Sequence, residues 1–186
     1  MILGLLLARA GVNVTVMEKH ADFLRDFRGD TVHASTLRLL DELGLGPQFA
    51  QIPHRFIDTV RMEIQNAPVD LDLTRLPGAH QHIALVPQWD FLEMVATAAG
   101  AEPSFRLLRS TEVVGVVRDG NRIAGVTYRD ETGETKEMRA ELTVACDGRS
   151  STVRSAVGLK PHSFGAPMDV WWFRVPRRPD DPSGLA

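Results

Sequence analysis

The residues of this sequence best equipped for chemistry fall in a few short clusters. One is Asp147-Gly148-Arg149-Ser150-Ser151, set between an apolar run and a helix-like stretch. Its carboxylate suits hydroxyls or amides, its glycine lets a backbone approach closely, and its guanidinium can meet phosphate or pyrophosphate. Asp-Gly is also a common turn dipeptide, so the surrounding elements must decide. A second cluster is Glu18-Lys19-His20, an acid followed by two basic side chains. Gln88 before Trp89-Asp90, and Arg28 before Gly29, complete the set.

The elements that position these residues can be read from periodicity. Met1–Ala10 predicts a helix, with Gly4 and Ala8 one turn apart to allow close packing and Gly11 as its C-cap. Val12–Met17 alternates strictly and predicts a strand that delivers Glu18 at its end. Helix, glycine, strand and terminal acid make the second half of a dinucleotide-binding βαβ unit, in which the acid accepts from the adenosine ribose hydroxyls. A solvated carboxylate after an edge strand is the plainer alternative. Lys19 and His20 lie within reach of an adenosine phosphate on the same reading. The first strand and the glycine-rich turn of such a unit are expected ahead of Met1, so a truncated product or a misplaced start is the expectation.

Ala140–Gly158 predicts strand, tight turn and helix. Leu142, Val144 and Cys146 alternate with Thr143 and Ala145 as in a strand buried within a sheet. Val153, Ala156 and Val157 then recur at helical spacing up to Gly158. Such a turn opens a crevice at the carboxyl end of a sheet, where α/β folds bind ligands. Cys146, the single cysteine, is expected to be core filler. It excludes an internal disulfide and fits a reducing, cytoplasmic setting.

Between these ends, Phe23–Asp30 reads as a loop whose Arg28 can point at a phosphate or a flavin edge. A helix with Leu37, Leu40 and Leu43 follows, capped by Ser35 or a neighbour and stopped at Gly44, with His33 exposed or capping. Thr59–Leu73 alternates with period two and turns at Asn66-Ala67-Pro68, an antiparallel pair of a second, substrate-facing layer. His80 and His82 are spaced for one strand face, yet two histidines without a further ligand make a weak metal case. Ile83–Pro87 predicts a strand. Gln88 then opens a helix, either facing an anionic or carbonyl-bearing ligand or bonding its own first turn. Phe105–Leu108, Glu112–Val117, Arg122–Tyr128 and Glu137–Cys146 predict a β-meander, and Val170–Phe173 an aromatic strand beginning something new.

Composition excludes several classes. With 44% hydrophobic and 24% charged residues the chain is an ordinary globular one. A net charge of −3 with no basic run argues against nucleic acid. The apolar opening is interrupted at Arg9, too early for a membrane span and without the basic start of a signal peptide.

Taken together, Gly4 through Glu18, Arg28-Gly29, Gln88 before its helix and Cys146-Asp147-Gly148-Arg149-Ser150 resemble the FAD-dependent aromatic hydroxylases, single-component flavoprotein monooxygenases of the para-hydroxybenzoate hydroxylase type. The resemblance covers nearly the whole chain, as roughly the first half of a family member. It implies an α/β fold: a Rossmann-like FAD-binding domain over 1–160, truncated at its first strand, with β insertions at about 55–87 and 105–140. The start of a substrate-domain sheet is implied over 161–186. By the same resemblance Glu18 binds the FAD ribose, with Lys19 beside it, and Arg28 and Gln88 contact the cofactor. Asp147, Gly148 and Arg149 serve FAD and NAD(P)H binding, and backbone near Val113 and Val114 lies by the adenine. The Gly-x-Gly-x-x-Gly turn is reduced to its trailing Gly4, and the later Gly-Asp motif is absent.

The reaction so implied has two halves. NAD(P)H reduces FAD by hydride transfer, and the reduced flavin activates molecular oxygen to hydroxylate a small aromatic or hydrophobic substrate. The flavin does that chemistry, so no side chain is named as general acid or base, and no metal is implied. A related flavin reductase or dehydrogenase and a non-catalytic fragment are the other readings. Without the phosphate loop, FAD binding that is weak or absent and poor solubility are expected of the chain as written.

Overall fold

A computed structural model of the protein describes residues 1–24, 31–65 and 67–165, together with Pro176 and Arg178. Arg28, the turn residue Asn66 and the Val170–Phe173 segment lie outside the described residues. The chain divides into two compact units, Met1–Asp22 with Ala99–Asp169 and Phe23–Ala98 with Val170–Ala186.

In the first unit, helix α1 (Ile2–Arg9) buries Gly4, Leu5 and Ala8. Gly11, at φ +80°, ends it in a conformation glycine adopts freely. Strand β1 (Val14–Met17) follows and pairs in parallel with β7 (Phe105–Leu108), Val14 opposite Phe105 and Met17 opposite Leu108. The predicted close packing is real. A Cβ on Gly4 would lie 2.8 Å from Val16 Cγ2 and 3.0 Å from Phe105 Cε2, so helix and sheet touch through a missing side chain. An Arg9–Glu102 ion pair at 3.0 Å ties the end of α1 to the segment before β7.

Strands β8 (Glu112–Asp119), β9 (Arg122–Arg129) and β10 (Thr135–Arg139) form an antiparallel sheet in the order β10-β9-β8. The four-strand meander expected from sequence is corrected at both ends. Phe105–Leu108 pairs with β1 instead of joining it, and its last strand stops at Arg139. Residues 142–146 make no ladder: Leu142 is 75% and Val144 51% exposed, and Cys146 is exposed too. The buried strand and the core role of Cys146 therefore fail. Alternation prepares a strand, but a ladder needs a neighbour's N–H and C=O groups, and among the described residues no strand supplies them. The segment is tethered instead by Arg122 Nη2 donating to Glu141 O at 3.2 Å. Helix α5 (Thr152–Ala156) closes the unit, with Gly158 at φ +80° ending it as expected.

In the second unit, β2 (Thr31–Val32), β6 (Ile83–Leu85) and β3 (Arg55–Ile57) form an antiparallel sheet in the order β2-β6-β3. Helix α2 (Ala34–Glu42) buries Leu37 and Leu40 and has His33 at its N-cap, without a side-chain capping bond. The short α3 (Gly46–Phe49) and the long α4 (Gln88–Gly100) complete the helices. Leu37, Leu40, Leu45, Phe49, Ile57, Ala84, Val86 and Val95 are among its buried apolar residues.

Strands β4 (Thr59–Ile64) and β5 (Ala67–Asp72) make the predicted separate antiparallel pair, with Val60 opposite Leu71 and Met62 opposite Val69. Arg61 clasps Asp70 across it through two hydrogen bonds of 2.7 and 2.8 Å. His80 and His82 precede β6 and do not share a strand, because the chain there is still leaving the turn at Gly78. Their rings stand perpendicular at 5.6 Å, and His80 Nε2 lies 2.6 Å from the Asp41 carboxylate. Among the described residues no cluster of three or more His, Cys, Asp or Glu could hold a metal ion, and no helix is long and apolar enough to cross a membrane.

Candidate functional site

Glu18 stands where β1 delivers it. Its backbone N–H donates to Leu108 O at 2.8 Å and its carbonyl accepts from Thr111 N at 2.9 Å, so β1 is tied to both ends of the β7–β8 connection. Its carboxylate accepts from the His20 backbone N–H at 3.0 Å. A further bond, Ser110 N to His20 O at 3.0 Å, locks Lys19 and His20 onto that connection, where Ser110 has φ +49°. Thr111 is buried, and Val113 follows it at the start of β8, half-buried and paired with Tyr128. The register slips between Val113 and Gly115, bulging Val114 outward. Main-chain bonds thus tie Glu18 and His20 to the segment that ends two residues before Val113.

The Asp147 turn is organised by hydrogen bonds to α5. Ser151 Oγ donates to Asp147 Oδ1 at 2.5 Å, and the Val153 N–H donates to Oδ2 at 3.1 Å. Burial raises the carboxyl's pKa, but the Ser151 hydroxyl and the backbone N–H groups outweigh it and hold the group below the usual carboxylate range. Gly148 takes φ +79°, and a Cβ there would meet nothing within 4 Å, so the outer side of the turn is open. Arg154 braces the turn from α5, its guanidinium donating to Gly148 O at 3.4 Å and to Arg149 O. Arg149 is exposed on this turn. Ser151 was named with the turn but given no role by sequence reasoning, and Arg154 was missed. The available signal was a serine just before a helical run, the usual N-cap pattern.

Gln88 belongs to the other unit and is the first residue of α4, as predicted. It edges an open cavity of about 160 Å³ lined also by Thr31, Val32, Thr36, Val86 and Phe91. That is smaller than a typical small-molecule pocket, enough for one edge of a ligand. Thr31 on β2 and Thr36 on α2, which line this cavity with Gln88, had no sequence signal, since these elements meet only in the fold.

This arrangement can be set beside known proteins. A family model described as an FAD binding domain matches residues 1–183. The chain belongs to that family. Among its relatives, the 6-methylpretetramide 4-monooxygenase of Streptomyces rimosus is 31% identical over 158 residues, covering 84% of this chain and 38% of the relative. The squalene monooxygenase of Mus musculus is 30% identical over 173 residues, covering 88% of this chain and 30% of the relative. Of solved structures, the OxyS anhydrotetracycline hydroxylase of Streptomyces rimosus superposes with a TM-score of 0.72 at 28% identity, over 84% of this chain and 31% of that one. The chain thus spans about a third of the length of the relatives it matches. Membership bears out the flavoprotein monooxygenase resemblance and FAD as the cofactor of the family.

Proposed function

We propose that this chain is the FAD-binding part of a flavin-dependent monooxygenase acting with NAD(P)H and molecular oxygen on a small aromatic or hydrophobic substrate, in a reducing cytoplasmic setting. The observation that carries the reading is the family match along the chain, together with relatives that are themselves named 6-methylpretetramide 4-monooxygenase and squalene monooxygenase. When bound, FAD supplies the redox chemistry, and the protein's part is to hold it.

Each unit offers groups that suit part of such a ligand. Glu18 offers an acceptor for ribose hydroxyls at the end of a parallel strand, with Lys19 exposed beside it. The Gly148 turn leaves backbone open to close approach, and Arg149 adds a cation for a phosphate. Gln88 offers amide groups at the rim of its cavity. Arg28 joins the set by the family resemblance. No residue here is assigned proton transfer.

The test is flavin fluorescence quenching with the chain itself, comparing FAD with FMN, which lacks the adenosine. We expect weak binding, tighter for FAD than for FMN. Glu18→Ala should lower FAD affinity about tenfold, as loss of a charge-assisted hydrogen bond does, and leave FMN unchanged. Equal affinity of the wild-type chain for FAD and FMN would overturn the reading.

A further inference from the structure

Ser151 is a buried polar residue, 4% exposed, at the N-cap of α5, and it does more than cap. Its hydroxyl accepts from the Arg154 N–H at 3.0 Å, the ordinary capping bond, while donating its own proton to Asp147 Oδ1 at 2.5 Å. Its carbonyl accepts from Ser155 Oγ at 3.0 Å, which fixes the backbone from which the hydroxyl projects. Asp147 is exposed where Ser151 is not. The carboxylate is therefore gripped from its inner side by Ser151 and the Val153 N–H, and an ionised carboxylate with about four lone-pair sites keeps further acceptor capacity.

We propose that Ser151 is a positioning residue for the cofactor site: its buried hydroxyl clamps the Asp147 carboxylate in one orientation beside the open Gly148 turn. This rests on the reading that Asp147 serves flavin binding. A carboxylate on a free side chain samples several rotamers, and each one lost on binding weakens the complex. Clamped by Ser151, it has already given up that freedom. The hydroxyl is suited to the task because it accepts from the helix and donates to the acid at once, which a backbone N–H cannot do.

A purely helix-capping role and a clamping role separate cleanly by substitution. Glycine is nearly as good an N-cap as serine but has no hydroxyl to donate, whereas threonine keeps both. The Asp147 side-chain carboxyl is followed by carbon-13 NMR titration, FAD affinity by fluorescence quenching, and helix content by circular dichroism, in Ser151→Gly and Ser151→Thr. In Ser151→Gly we expect Asp147 to titrate at higher pH than in the wild type. FAD affinity should fall about tenfold, with the circular dichroism spectrum unchanged. Ser151→Thr should keep both wild-type values. A Ser151→Gly chain with unaltered Asp147 titration, or with unaltered FAD affinity, overturns the clamp. If the wild-type chain binds no flavin, the proposed function falls, and the Asp147 titration alone then decides whether Ser151 holds the carboxylate.

Discussion

Val14–Met17 and Leu142–Cys146 carry nearly the same message in sequence and end in different states. Both are short, apolar runs with β-branched residues, and each is followed at once by an acid, Glu18 or Asp147. The first is a strand, half-buried along its length, because β7 lies beside it in register and α1 covers it through Gly4. The second has no ladder among the described residues and lies exposed. Propensity makes a segment ready to pair, and a neighbouring edge decides whether it does. Position of the acid follows from this difference. Glu18 is fixed by main-chain bonds to Leu108 and Thr111, whereas Asp147 is fixed by side-chain bonds to the helix that follows it.

Pairing also creates constraints that the unpaired run escapes, and the largest expected effect tests that. In β9, Gly125 sits where β10 crosses closest: an added Cβ would lie 2.0 Å from the Met138 carbonyl oxygen, at φ +150°. No flexible side chain stands there to move aside. Gly125→Ala should destabilise the protein by more than about 3 kcal/mol, read as a loss of the chemical denaturation midpoint. A loss under about 1 kcal/mol would mean that the β9–β10 pairing is loose and the contrast with residues 142–146 overstated.

A matched pair of charges sharpens the comparison further. Val16→Asp puts a carboxylate against Gly4 of α1 at a half-buried position, and should cost about 1–3 kcal/mol for partly desolvating an unpaired charge. Val144→Asp, at an exposed position, should stay within about 0.5 kcal/mol of the wild type. The Cys146 thiol beside it should react with a maleimide in the folded protein as fast as in denaturant. Equal costs at the two valines, or a protected thiol, would show residues 142–146 to be paired after all.

How much of this was legible follows the same divide. Local signals read correctly: α1 with its glycine at the packing face, the β4–β5 pair, Gln88 opening α4, and the glycines that end α1 and α5. Each depends on residues within a turn or two of sequence. What failed depended on partners far away in the chain. Nothing within Phe105–Leu108 says that it pairs in parallel with a strand some ninety residues earlier instead of joining the meander next to it. His80 and His82 looked like one strand face, yet His80 turns to Asp41 on α2. In the candidate site, Glu18 and Asp147 were legible as acids at the ends of apolar runs. The residues that hold them, Thr111 and Ser151, were not, because their roles appear only once the loops close.

The smallest expected effect concerns the other unit, where the rings of His54, Phe56, His80 and His82 pack together. Phe56 lies between His54 and His82, at ring-centroid distances of 4.6 and 4.0 Å, and His82 stands edge-on to His80. His82 Nε2 is buried and has no hydrogen-bond partner among the described residues. Burial first, then the neighbouring His80 and His54, push its pKa below the ordinary histidine value, against a weaker opposing pull from Asp58. In the unfolded chain His82 titrates near pH 6.5. Because the folded value is the lower one, the unfolded state binds more protons in this range, and stability declines as pH falls from about 6.5 toward the folded value. Above it the contribution is complete. The thermal midpoint should therefore drop between pH 7.5 and pH 5.5, and His82→Gln should flatten that dependence while changing the midpoint little at pH 7.5. An unchanged slope in His82→Gln would assign the acid sensitivity elsewhere and leave the imidazole stack as packing alone.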